Sequence, residues 1–242
     1  MQKLVWPAAV AAITALVVNA HLAGFQNAKM TTYMAQLRVS AEAPMICQGI
    51  LIDANFALFT RACTKLYEED FKGSMVLVGA SRFNGEPDDG EWIRVHKYYY
   101  CPDHAMDLAM VQFARPSNYT PVQILWNDVV PGMVVWLRGW FLANSDKSLN
   151  RLVETTVQVT PNGECQVKHN RNIYDHQVCG DNDSINKCSS FILGSLITEI
   201  RGRDFLVGTL TTGNCESKPV YEVFTRLSAS RSFIEPFLCN GA

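Results

Sequence analysis

The stretch Lys187-Cys188-Ser189-Ser190-Phe191-Ile192-Leu193-Gly194-Ser195-Leu196-Ile197 runs from a cysteine among small hydroxylated residues into an apolar exit. That exit reads as the start of a strand from Leu193 to Ile200. A cysteine just before such a strand is placed to brace a loop against its neighbours. At the centre of the loop stand Phe191 and Ile192. A branched hydrocarbon can neither attack a carbonyl nor hand a proton to a base.

Outward from this stretch, short apolar runs bounded by turn residues recur along the chain. Ile46 to Phe59, Ser74 to Ala80, Leu108 to Phe113, Met133 to Leu137, Leu152 to Val159 and Phe205 to Thr211 all read as strands. Asn84-Gly85-Glu86-Pro87-Asp88-Asp89-Gly90, Asn144-Ser145-Asp146-Lys147 and Pro161-Asn162-Gly163 punctuate them. The pattern is all-β, and closed barrels are one solution to its edge-strand problem. Only the tail shows helical spacing, with Phe233, Ile234, Phe237 and Leu238 on one side of a short helix over Ser230 to Leu238. A Pro-rich crossing from Arg115 to Pro131 is the candidate join between two barrels.

Met1-Gln2-Lys3, the apolar run Leu4 to Val18 and the small residues of Val18-Asn19-Ala20 have the form of a secretory signal peptide, residues 1–20, cleaved after Ala20. Pro7 interrupts a run too short to span about 30 Å of hydrocarbon, and no membrane span is expected elsewhere. A net charge of −2 without a basic stripe argues against nucleic acid as a partner. Eight cysteines in an exported chain point to disulfides, although counting alone leaves about 105 pairings.

An ordered series of landmarks resembles the chymotrypsin-like (trypsin family) serine proteases. Cys47-Gln48-Gly49-Ile50-Leu51-Ile52 resembles C-G-G-S-L-I, Phe56 to Cys63 resembles W-V-L-T-A-A-H-C, and Asp107 to Val111 resembles D-I-A-L-L. Arg138-Gly139-Trp140 resembles S-G-W, Val178-Cys179 and Cys188 the paired cysteines near the nucleophile, and Val223 to Ser228 the stretch V-Y-T-R-V-S. The resemblance covers the mature chain, residues 21–242. It implies two antiparallel six-stranded β-barrels, about 21–125 and 126–242, with a short C-terminal helix. Carried over, it implies disulfides Cys47–Cys63, Cys165–Cys179 and Cys188–Cys215, and leaves Cys101 and Cys239 for a fourth, tentative bond.

The family's mechanism needs a nucleophile, a base in contact with it and a carboxylate orienting the base. The resemblance places Ile192 at the nucleophile, Ala62 at the base and Asp107 at the carboxylate, so the triad is degenerate and no peptidase activity is expected. The activation aspartate of active members falls on Phe191, and no basic-Ile-Val-Gly-Gly junction lies between His21 and Cys47. Ser190 replaces an oxyanion-loop glycine. The remnant specificity pocket comprises Asn186 at its floor, Thr211 and Gly213 on the substrate-pairing strand, and Glu222 where a wall glycine would leave room.

Other constellations are weaker. Cys165, His169, His176 and Cys179 have a zinc-like ligand spacing, but the cysteines coincide with a family disulfide, so no metal is assigned. His104 with Ser189 or Ser190 is the strongest route to a rewired hydrolase. His96 and Tyr98-Tyr99-Tyr100 form either a binding surface or a half-buried strand. Asn182 and Asn118 head glycosylation sequons, the latter's followed by Pro121.

The resemblance, closest to insect-type single-domain members, implies a secreted, non-catalytic homologue without cofactor. Such a chain acts on an extracellular protein partner (an active protease, an inhibitor or a receptor) as a cofactor, decoy or network component. Some insect members belong to seminal fluid and act in sperm storage and the post-mating response, a setting no residue here specifies. A rewired hydrolase and a disulfide-linked matrix or plug component are the alternatives.

Overall fold

The computed structural model describes residues 26–27, 31–66, 73–83, 89–140, 151–181, 194–213 and 221–238. After a short strand β1 (Gln26–Asn27) the chain forms β2 (Met34–Arg38), β3 (Cys47–Asp53), β4 (Phe56–Thr60), β5 (Met75–Val78), β6 (Glu91–Tyr100) and β7 (Leu108–Phe113). These close as an antiparallel barrel in the order β2-β3-β4-β7-β6-β5. Leu37, Ile50, Leu58, Leu77, Ile93 and Met110 fill it and are almost fully buried. The run Ile46 to Phe59 is two strands rather than one. The Asp53 carboxylate accepts the Asn55 backbone N–H at 2.8 Å, turning the chain between β3 and β4.

From Arg115 to Pro131 the chain crosses between barrels, with a short strand β8 (Gln123–Ile124) on the way. The Val122 N–H donates to Leu51 O in the first barrel and the Leu125 N–H to Leu206 O in the second, both at 3.0 Å. Then follow β9 (Val134–Trp140), β10 (Leu152–Thr160), β11 (Gln177–Asp181), β12 (Ser195–Ile200), β13 (Arg203–Gly213) and β14 (Tyr221–Arg226). They form a second closed ring, β9-β10-β11-β14-β13-β12 and back to β9. β1 pairs with β10 of this ring, and β8 runs parallel to β13. The β12–β13 hairpin turns on Arg201-Gly202, both at positive φ (53° and 77°), as a tight right-twisted hairpin requires. Val135, Leu137, Val157, Leu196, Leu210 and Phe224 form the core.

Two short helices interrupt the strands, α1 (Arg61–Leu66) after β4 and α2 (Asn162–His169) before β11. The tail is a 3-10 turn (Ser228–Ser230), a single helical turn α3 (Arg231–Ile234) and a second 3-10 turn (Glu235–Phe237). Its apolar face returns to the first barrel. Ile234 is buried, and the Phe237 ring sits 5.2 Å from Phe56 and 5.0 Å from Tyr99, edge-on or tilted.

A buried charge cluster joins the barrels. Arg138 on β9 pairs with Glu154 of β10 and Asp204 of β13, each at 2.8 Å. Tyr33, just before β2, donates its hydroxyl to Asp204 at 2.7 Å and accepts from Arg138. Burial pushes the Tyr33 hydroxyl far above its ordinary pKa, despite the opposing Arg138 charge.

Candidate functional site

The candidate site begins where β4 leads into α1. Thr64 ties the helix down by donating to Thr60 O and Arg61 O, at 3.0 and 3.1 Å. A disulfide links Cys63 to Cys47 of β3. Between these anchors Ala62, the position the sequence reading assigns to the base, is exposed and presents only a methyl group. Its backbone N–H donates to Asp107 Oδ1 at 2.6 Å. Asp107 closes the 3-10 turn His104–Met106 in a left-handed conformation (φ 47°), and its carbonyl accepts the Arg61 N–H at 3.1 Å. Burial raises the Asp107 pKa, with the Ala62 N–H and the Arg61 charge acting in the opposite direction. The Asp107 carboxylate is therefore engaged with the backbone of Ala62.

His104 is exposed, and its Nε2 lies 3.1 Å from the Arg61 guanidinium. Arginine can only donate, so this nitrogen accepts. Ile192, Ser189, Ser190 and Phe191 lie outside the described residues, as do Asn186, Asn182, Cys188 and Cys215 of the Cys188–Cys215 pairing. Of the remnant pocket, Thr211 donates its hydroxyl to Val223 O at 2.8 Å, and Gly213 pairs with Glu222 across β13 and β14. Glu222, which the sequence reading assigns to the pocket wall, is buried at 3 % exposure.

The second described disulfide, Cys165–Cys179, fastens α2 to β11 and takes both sulfurs of the zinc-like string. His169 Nε2 faces Tyr221 O at 3.2 Å, and the His176 ring stacks on Tyr174. Cys101, buried just after β6, forms no disulfide among the described residues, and its sulfur lies 3.9 Å from Met106 Sδ; Cys239 lies outside the described residues. Asn118 is exposed, and its side-chain amide donates to Glu91 at 2.9 Å.

Two groupings were missed from sequence. One is the Tyr33–Arg138–Glu154–Asp204 cluster, whose signal was a charged residue inside the apolar run Met133 to Trp140. A charge in a buried strand requires a partner. The other gathers cations over the tyrosines of β6. The Lys65 ammonium sits 4.2 Å from the Tyr100 ring centre and the Arg61 guanidinium 5.4 Å from it. Tyr100 in turn stacks with Tyr98 at 6.4 Å and 9°.

The family model described as Trypsin matches residues 23–234. The chain belongs to the trypsin family. Among curated relatives, glucanase inhibitor protein 1 of Phytophthora sojae is 28% identical over 226 residues, covering 84% of this chain and 82% of the relative. Glucanase inhibitor protein 4 of Phytophthora infestans is 29% identical over 199 residues, covering 76% and 75%. Neither relative is an insect protein, and nothing in these likenesses supports a seminal-fluid setting. Among the described residues, no helix of this trypsin-family chain is long and apolar enough to cross a membrane.

Proposed function

We propose that this chain is a secreted, non-catalytic trypsin-family protein that binds and restrains an extracellular enzyme, a glucanase being the partner class. The observation that carries the reading is the closure of the base position. Ala62 offers no proton acceptor and its N–H engages Asp107, while Ile192 stands at the nucleophile in the sequence. A triad works as a unit, so two missing members leave no route to an acyl-enzyme. The relatives named as glucanase inhibitors supply the partner class. The Arg61 bond to His104 Nε2 counts against a rewired triad, because the nitrogen that would serve as base is already an acceptor.

Secretion after cleavage at Ala20, a glycan on Asn182, the Cys188–Cys215 bond and a Cys101–Cys239 bond belong to the same proposal. The test uses the protein secreted from a eukaryotic host. It is offered a fluorophosphonate probe, a peptide substrate panel and a panel of glucanases. No labelling and no turnover, with stoichiometric inhibition of a glucanase, is the expected outcome. Labelling by the probe refutes the loss of catalysis, and free glucanase activity across the panel refutes the partner class.

A further inference from the structure

Gln48 on β3 and Thr60 on β4 belong to the first barrel, and Thr209 on β13 belongs to the second. All three are buried, at 3 %, 3 % and 6 % exposure. They line one cavity of about 10 Å³ between the barrels, together with Gly49, Gly194 and Ser195. Gln48 Oε1 accepts the Trp140 backbone N–H at 2.8 Å, which fixes the direction in which its amide faces. The Gln48 Nε2 and the hydroxyls of Thr60 and Thr209 have no hydrogen-bond partner among the described residues. A buried amide or hydroxyl left without a partner is costly, and three around one small cavity point to a shared one.

We propose that this cavity is a binding site for one internal water molecule, which joins the two barrels through Gln48, Thr60 and Thr209. Size limits the occupant first. A cavity needs about 10–15 Å³ to hold one water, so this one takes a single small molecule and nothing larger. Three polar partners are also the usual number for a buried water. The donor pattern then selects the chemistry. With Oε1 committed to Trp140, Nε2 can only donate, so the occupant must accept a hydrogen bond, which rules out a cation. A buried anion needs a compensating charge, and no charged side chain among the described residues lines the cavity. Water accepts from Nε2 and has two protons and a second lone pair for hydroxyls that serve in either role. The position gives the bridge its use. Thr60 leads directly into α1, which carries Ala62, and β13 continues from Thr209 to Thr211 and Gly213. The water therefore ties together, from behind, the two strands that form opposite walls of the candidate site. It stands apart from the partner class proposed above, and neither reading depends on the other.

The experiment compares the wild-type protein with Thr60→Val, Thr209→Val and the double variant, each valine keeping the shape and removing the hydroxyl. A crystal structure that shows ordered water should place one peak about 2.7–3.2 Å from Gln48 Nε2 and from both threonine hydroxyls. In solution, oxygen-17 relaxation dispersion should count one long-lived water fewer in the double variant than in the wild type. Each single valine should lower Tm by about 2–6 °C, because the water loses a partner while the other polar groups stay buried. A dry cavity gives the opposite sign, since valine would then remove an unpaired hydroxyl and raise Tm. Valine variants that match or exceed the wild-type Tm overturn the proposal, as does an unchanged count of long-lived waters. An anomalous scattering signal marking a halide at the position overturns the choice of ligand.

Discussion

Replacing Arg138 by methionine removes the positive centre of a cluster in which Glu154 is 6 % exposed and the Asp204 side chain 10 %. Methionine roughly preserves the volume, so packing changes little and the electrostatic loss dominates. Removing one member of a buried ion pair costs about 3–5 kcal/mol, since the partner charge is left without compensation. Here one cation serves two carboxylates and also donates to the Tyr33 hydroxyl, which places the cost toward the upper end. For a chain of this size that corresponds to a fall in Tm of roughly 6–20 °C. Differential scanning calorimetry at neutral pH reads it directly. A second variant separates charge from shape, with Arg138→Met combined with Glu154→Leu and Asp204→Leu. A buried triad replaced by hydrocarbon is often neutral or stabilising, so the triple variant should recover most of the loss. A fall of less than about 2 °C in the single variant, or a triple variant no better than the single, refutes the reasoning.

Three further outcomes follow from groups already described. Burial raises the Asp107 pKa, so ionising it costs more in the folded chain; Asp107→Asn should therefore raise thermal stability at neutral pH, with the gain vanishing as pH falls below the unfolded carboxyl pKa. Glu91 is the opposite case. Burial raises its pKa, but bonds from Arg115, Ser117 and Asn118 outweigh that and hold it below its ordinary value. Its contribution is present above the unfolded pKa and lost as pH falls through the folded one, so Glu91→Gln should cost about 1–2 kcal/mol in neutral urea titrations and little in acid. A Cβ on Gly49 would lie 2.4 Å from the Phe59 ring; Gly49→Ala should lower stability by about 1–3 kcal/mol, and an unchanged unfolding midpoint would count against this packing.

Legibility from sequence tracked how local each cause is. β7 matches its apolar run, Leu108 to Phe113, because each side chain declares its own burial. β2 carries Gln36 and Arg38, and was not among the strands read from sequence. Both are buried because Arg38 donates to the Gln36 side chain and to the carbonyls of Ala43 and Phe83, and Gln36 donates to the carbonyl of Arg82; the Phe83 and Arg82 carbonyls lie on a distant stretch that no local window contains. α2 begins at the Asn162-Gly163 pair that reads as a turn, and Cys165 is its buried residue, so disulfide and capping contacts hold it rather than an apolar face. In the site, Ala62 could be placed at the base position from sequence because Cys63, which the structure bonds to Cys47, follows it directly. The capture of Asp107 by the Ala62 N–H was not, since it joins α1 to a turn distant in sequence.

The two ends of the chain are exchanged between the barrels. β1 pairs with a strand of the second barrel, and the last aromatic residues cover Phe56 and Tyr99 of the first. Every strand of the first barrel precedes Phe237 in the chain, so a first barrel that folded ahead of the second would do so with that aromatic patch bare. A chain cut before Phe233 would carry that apolar surface permanently, with the hazard of association that such patches bring.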